Sequence, residues 1–332
     1  MRRRASASEI VIGLTAVVIA VTAGEPRVLT VRRVSHSPGE PGDASETLPF
    51  GPFDPVGHRT LDLGLRAWVG EQTKLSLGYV EQLYTFADRD REARVSESAA
   101  RTVSIGYLAL VREAKPAGEG GAQWQYWYRY FPWEDGRKGR PSIVAKTMQP
   151  RLAAWIKSGG TAEERRRRDE RVRLAFGMAP APWDEERVLD RYELLYEAGL
   201  VAEAARDRGA RVDPEILRLG QPMAFDHRRI LATAMSRLRG KLKYRPVVFE
   251  LMPPTFTLLQ LQHAVEALAG VALHKQNFRR LVEQGGLVEP LGVLERGTGG
   301  RPAEKFRFRR DVLVERPAPG VRLPQARKAS AS

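Results

Sequence analysis

The chain has no cysteine among its 332 residues. That excludes a disulfide scaffold, a thiol nucleophile and any Cys-ligated zinc or iron–sulfur centre. Its most suggestive apolar run, Ile10–Ala23, is 14 residues long, where a helix needs about 20 to cross a bilayer. No internal repeat is visible. Acidic residues are sparse toward the C-terminus: positions 225–316 carry 17 Lys and Arg against 9 Asp and Glu, whereas 1–114 carry 14 of each. Most of the net charge of +14 therefore sits in the last third. A basic module behind a neutral one points to a polyanion partner; the plainer alternative is a generally Arg-rich composition. A hydrophobic content of 42% with 28% charged residues is that of a globular protein, and the length suits two or three domains.

Arg2-Arg3-Arg4 ahead of the apolar run imitates an export signal. Glu9 interrupts the join, however, and β-branched Ile, Val and Thr stand where a Leu-rich centre would be. The run continues through Gly24-Glu25-Pro26 into Val28–Arg33, which is a hairpin pattern. No membrane segment and a cytoplasmic location are expected. A polar loop at 34–47, a helix near Thr60–Lys74 with Leu61, Leu65 and Trp68 on its apolar stripe, and strands at Gly78–Phe86 and Thr102–Val111 follow. That order predicts an α+β fold.

Residues 115–123 read as a joint. Trp124–Trp133 alternates as a strand, Gly136–Ser142 is a basic loop, and helices are expected near Thr161–Phe176, Asp184–Arg208 and Phe225–Arg239. Thr161 and Glu164 suggest a capping box. The acidic neighbours of Arg165–Arg168 mark a solvated helical face rather than a nucleic-acid patch. Arg137-Lys138-Gly139-Arg140-Pro141 has the look of a minor-groove hook, but such short matches are common in an Arg-rich chain and an ordinary exposed loop is the preferred reading. Residues 317–332, rich in Pro, Ala and Ser, are expected to be disordered.

The clearest pattern lies in 255–313. Thr257 is a good N-cap for a helix with Leu258, Leu261, Val265 and Leu268 on one face, and Gly270 ends it. A second helix begins near His274, with Phe278, Leu281 and Val282 inward and Lys275, Gln276, Arg279 and Arg280 outward. Gly285-Gly286 stops it, and two strands follow around Arg296–Pro302. Helix, turn, helix and a two-stranded wing form a winged helix-turn-helix layout. The outward Lys, Gln and Arg suit bidentate contacts to base edges in the major groove. Thr298 and Arg301 at the wing tip suit a minor groove or phosphate; Asn277 suits a cap or a phosphate contact. A winged helix serving only protein contacts is the alternative.

Residues 48–75 resemble the Nudix motif. Leu48-Pro49-Phe50-Gly51 stands where that family has Leu-Pro-Gly-Gly, Gly57-His58 where it has Gly-Glu, and Arg66 at the motif arginine. Ala67 and Gly70 replace two glutamates, only Glu71 remains, and Thr73 takes the later glycine. Positions 67, 70 and 71 share one helical face, and Mg²⁺ requires several oxygen ligands. One carboxylate is a poor site, so no catalytic and no metal-binding residue is expected.

Together with Ala224–His227, Phe256–Gln262, Asn277–Arg280 and Gly300–Ala303, these segments make the chain resemble the Nudix-related transcriptional regulators of NAD metabolism, most closely their alphaproteobacterial branch. The resemblance implies a Nudix-like α/β/α sandwich followed by a winged helix-turn-helix. It places an effector-binding core at 9–113, a closing helix and linker at 221–252 and the DNA-binding domain at 253–316; a largely helical insertion at 114–220 and the tail at 317–332 lie outside it. It further implies a homodimeric repressor of NAD-synthesis genes. Such a repressor binds a double-stranded operator and an NAD-related nucleotide (ADP-ribose, NAD or ATP) and needs no cofactor. Effector contacts are then expected at Arg32, Arg33, Phe53, Arg66 and Glu71, although Arg66 equally suits a loop-holding salt bridge. His227 suits a satisfied core histidine and Asp226 a helix cap. Coupling between the modules would run through Phe225–Arg239 and Lys241–Met252. The competing class is an active Nudix-type pyrophosphohydrolase with an accessory nucleic-acid-binding domain.

Overall fold

The computed structural model describes residues 10–33, 45–88, 101–113, 121–295, 302–315 and 320–321. The expected hairpin is β1 (Ile10–Thr22) and β2 (Glu25–Arg33), turning through Ala23 and Gly24. β3 (Ser45–Thr47) extends β2, and β4 (Phe50–Pro52) pairs the first half of β1. Then come α1 (Leu61–Thr73), β5 (Tyr79–Phe86), β6 (Arg101–Leu110) and β7 (Gln123–Tyr126). β6 lies parallel to β1 along its whole paired length, so the central path reads β3-β2-β1-β6-β5.

β1 is apolar on both faces because both are covered. Leu14, Ala16, Val18 and Ala20 pack with Leu65 and Val69 of α1. Val17 and Ile19 join a second, larger cluster on the opposite face. That cluster takes in α2 (Gln149–Lys157), α3 (Ala162–Phe176), α4 (Val188–Glu197), α5 (Ala202–Asp207) and α7 (His227–Tyr244), with the short α6 (Pro214–Leu217) beside it. It runs on into β8 (Phe256–Thr257), α8 (Leu258–Ala269), α9 (Lys275–Gln284) and the wing strands β9 (Val288–Glu295) and β10 (Ala303–Phe308), before α10 (Val312–Glu315). The sandwich and the winged helix therefore share one continuous apolar core.

The middle of the chain departs from its local pattern in several places. Trp124–Trp133 is not one strand: β7 pairs β2, and two single 3₁₀ turns follow. Trp127, Tyr128, Tyr130, Phe131 and Trp133 are all buried. The segment expected to be an insertion thus supplies a strand to the sheet. Asp184–Arg208 is two helices, broken where Gly199 takes φ +72°. α7 starts at His227 because Phe225 adopts φ +54°, outside helical space, and it runs past Arg239 to Tyr244. Thr161 caps α3 through Glu164 N, but the Glu164 carboxylate accepts from Gly160 N instead of Thr161 N, so the box is not reciprocal. In the tail, Val321 is buried and Gly320 lies against the Tyr244 backbone; residues 317–319 and 322–332 lie outside the described residues. Ser45–Thr47, expected in a loop, is β3.

Candidate functional sites

The winged helix is built as its local sequence dictates. Thr257 Oγ1 accepts from Gln260 N at 3.2 Å and Gln260 Oε1 accepts from Thr257 N at 2.8 Å, a reciprocal capping box. Gly270 ends α8 at φ +71°. Phe278 and Val282 of α9 are buried and Leu281 half-buried. Lys275, Gln276, Asn277, Arg279 and Arg280 are exposed. β8, β10 and β9 form the three-stranded sheet behind the helix pair. Thr298 and Arg301 lie outside the described residues.

The charge excess is distributed less simply than the sequence suggests. On α7, Arg228 pairs Glu203, Arg239 pairs Glu134, Arg229 pairs Glu193 and Asp226, Lys241 pairs Glu81, and Lys243 pairs Glu185 and Glu186. In the wing, Lys305 pairs Glu295, Arg307 pairs Glu289 and Arg309 pairs Glu315. Lys275, Arg279 and Arg280 have no ion pair among the described residues. Among the described residues α9 thus presents an uncompensated positive face, where positions 275, 276, 279 and 280 form one stripe. Arg137 and Arg140 are not a groove hook. Arg137 pairs Asp135 and Glu25, and Arg140 donates to the Phe176 and Gly177 carbonyls that end α3.

At the Nudix-type loop, the helix holds the chain down through Trp68, expected only on its apolar stripe, and through Gln72, for which no role was expected. Trp68 lies on Gly51, where a Cβ would come within 2.2 Å of the indole, and Trp68 Nε1 donates to Pro52 O at 2.8 Å. Gln72, four residues on, accepts from Phe50 N and donates to Phe50 O. That i, i+4 pair facing a glycine strand is the signal that could have found them. His58 Nδ1 accepts from Asp54 N at 3.1 Å and sits against Gly64.

Arg66 donates to Asp62 and to the Leu77 and Gly78 carbonyls, so its guanidinium braces the α1–β5 connection. Phe53 is half-buried, its ring 5.9 Å from His58. Glu71 is exposed on α1, and Arg32 is exposed on β2 opposite Glu46. Arg33 pairs Ser45 in the strand register. Among the described residues, Arg32 makes no hydrogen bond or ring contact with Phe53, Arg66 or Glu71. His227 is a satisfied core histidine: Nδ1 accepts from Leu48 N at 3.0 Å, with Phe50 and Phe225 against the ring. Asp226 makes no helix-cap hydrogen bond; it pairs Arg229. Ala67, Gly70 and an exposed Glu71 do not provide the oxygen donors Mg²⁺ requires. No group of three or more His, Asp or Glu among the described residues is placed to hold a metal ion.

A mixed sheet with a glycine loop and helix on one face, closed by α7 and continued by a winged helix, has the Nudix-like fold followed by a winged helix-turn-helix. The comparisons agree with that class. Residues 248–308 match the model of the NrtR DNA-binding winged helix domain. The chain is 41% identical over 86 residues to the ADPR responsive transcriptional repressor NtrR of Acinetobacter baylyi; the match covers 26% of this chain and about a third (34%) of that repressor. Its fold is similar to that of Shewanella oneidensis NrtR, crystallised with a 27mer DNA. The TM-score is 0.53 at 21% identity, covering 91% of this chain and 95% of that one. It is also similar to a MutT/nudix family protein from Enterococcus faecalis, with a TM-score of 0.50 at 16% identity over 93% and 90% of the two chains. No helix among the described residues is long and apolar enough to cross a membrane.

Proposed function

We propose that the chain is a cytoplasmic, homodimeric repressor of NAD-synthesis genes whose hold on its operator is set by an NAD-related nucleotide, ADP-ribose foremost, bound in the Nudix-type domain. The observation that carries this is the exposed, ion-pair-free cationic stripe of α9, set on a winged helix that matches the NrtR DNA-binding domain. The regulator reading is favoured over hydrolysis because the helix face that would grip metal against a pyrophosphate keeps one carboxylate, Glu71.

α7 is the natural route between the two modules. Its first residue, His227, holds Leu48 of the Nudix-type loop. Its fourth turn places Arg239 against the end of α8. At 18 residues it spans about 27 Å as one stiff rod. A nucleotide that shifts the loop therefore bears on the DNA reader through packed structure, provided it binds the two arrangements with different affinity.

The test is a DNA mobility-shift titration on promoters of NAD-synthesis genes, with ADP-ribose, NAD and ATP added in turn. A retarded band that one nucleotide changes is expected. No shift on any promoter would remove this reading, and metal-dependent nucleotide hydrolysis at an ordinary enzyme rate would replace it with the pyrophosphohydrolase.

A further inference from the structure

The segment between β7 and α4 has no role in the reading above, yet it meets the DNA-binding module at one well-defined place. The last turn of an α-helix leaves carbonyls without intrahelical donors. At the end of α8 these carbonyls are met by groups from outside the winged helix. Tyr128 OH donates to Ala267 O at 2.8 Å, Arg239 Nε donates to Leu268 O at 3.0 Å, and Gly136 N donates to Gly270 O at 2.8 Å.

The socket behind these donors is fully buried. Glu134 accepts from Arg239 Nη1 at 2.6 Å and from Arg191 Nη2 at 2.8 Å; all three side chains have zero exposure. Arg239 Nη2 also donates to Tyr128 OH, so the hydroxyl accepts from one neighbour and donates to the next. Burial pushes the Tyr128 hydroxyl up, which keeps it protonated and a donor. Two guanidiniums against one carboxylate leave an excess positive charge in the interior. The negative end of the α8 dipole lies against Arg239 and offsets it. The fit is close on the other side too: a Cβ on Gly270 would come within 2.3 Å of Glu134 O and 2.8 Å of Tyr128 OH. Gly270 is thus required twice, by its φ of +71° and by the socket.

We infer that Tyr128, Glu134, Gly136 and Arg239 form a seat that fixes the direction of the recognition helix relative to the Nudix-type domain, and that they are positioning residues for sequence-specific DNA reading. The gripped carbonyls belong to the last turn of α8 and its Gly270 cap, and α9 begins at Lys275, so the seat holds the helix end from which the turn of the helix-turn-helix departs. None of its side chains is exposed, and none can touch DNA. This inference rests on the DNA-binding reading and deepens it.

The experiment uses the full chain and two duplex probes: one that the wild-type protein selects from a random pool, and the unselected pool. Tyr128→Phe withdraws one hydroxyl donor and keeps the ring. Arg239→Lys keeps the charge opposite Glu134 and withdraws the Nε donor from Leu268. An unsatisfied buried carbonyl weakens the seat enough that preference for the selected duplex should fall about tenfold in each variant. Affinity for the pool, which depends on phosphate charge, should stay at the wild-type value, and thermal unfolding should remain cooperative.

Unchanged preference in both variants overturns the inference. So does an equal loss on both probes by a folded variant, and so does loss of the cooperative transition in both, which would make the seat a folding element. Failure of the wild-type chain to bind either probe would instead overturn the proposed function, and with it any role of the seat in reading DNA.

Discussion

Arg279 and Arg237 offer a matched pair for testing where the useful charge lies. Both are exposed arginines without an ion pair among the described residues, one on α9 and one on α7. Replacing either with Ala removes the same charge and, at an exposed site, should change stability by no more than about 0.5 kcal/mol. If Arg279 meets a phosphate, its loss lowers the slope of log K against log salt by about 0.9 per contact. That corresponds to about a fivefold loss of affinity near 0.15 M salt, compounding to about thirtyfold if two protomers share the operator. If it reads a guanine edge, the penalty is about 1–3 kcal/mol and specific to that base pair. Arg237→Ala should leave both slope and affinity at the wild-type values. Fluorescence anisotropy of a labelled operator over a salt series measures this directly. Equal changes in the two variants would show that binding follows net charge, and would refute the argument from the α9 face.

Three further outcomes are expected. Glu134→Gln leaves two buried guanidiniums facing a neutral amide and should cost about 3–5 kcal/mol at neutral pH, read from urea midpoints. Burial alone would raise the Glu134 carboxyl, but Arg191 and Arg239 outweigh it and hold the group below its usual 4.5. A depressed carboxyl stabilises above its unfolded value and loses that contribution as pH falls through the folded one. The gap between wild type and variant should therefore be full above pH 4.5 and close below it; a gap independent of pH would contradict the pairing. His227→Leu strands the buried Leu48 N–H and should destabilise by about 1–3 kcal/mol in thermal or urea unfolding. Chelation with EDTA should leave ADP-ribose affinity unchanged in calorimetric titration, because the α1 face offers one carboxylate; a strong Mg²⁺ requirement would show that other donors complete a site.

The features legible in the sequence are those whose cause is local. A Thr–x–x–Gln box, a glycine at the helix end, apolar residues at i, i+3 and i+4, and glycines before a second strand are enough to write down α8, α9 and the wing. The β1–β2 hairpin and α1 follow from the same kind of signal. The helical repeat places positions 67, 70 and 71 on one face of α1; that Ala67 and Gly70 stand where the Nudix motif has glutamates came from the resemblance.

Where each cation points was decided by tertiary structure. Arg191 and Arg239 meet Glu134 across 57 and 105 residues of chain, and Arg228 meets Glu203 in the same core. No periodicity records such pairs, because they satisfy desolvated charges with whatever partner the fold brings within reach. Trp124–Trp133 likewise reads as a strand in sequence, but Trp127–Arg129 and Pro132–Glu134 turn as 3₁₀ segments and the five aromatics from Trp127 to Trp133 are all buried, since packing outweighs local preference. Local pattern was enough for a Nudix-type loop, a winged helix and a basic last third. Only the three-dimensional fold decided that most of the α7 and wing-strand charge is neutralised internally. The result is an open cationic face on α9 and a buried socket behind it, because charge pairing and burial act through space and not along the chain.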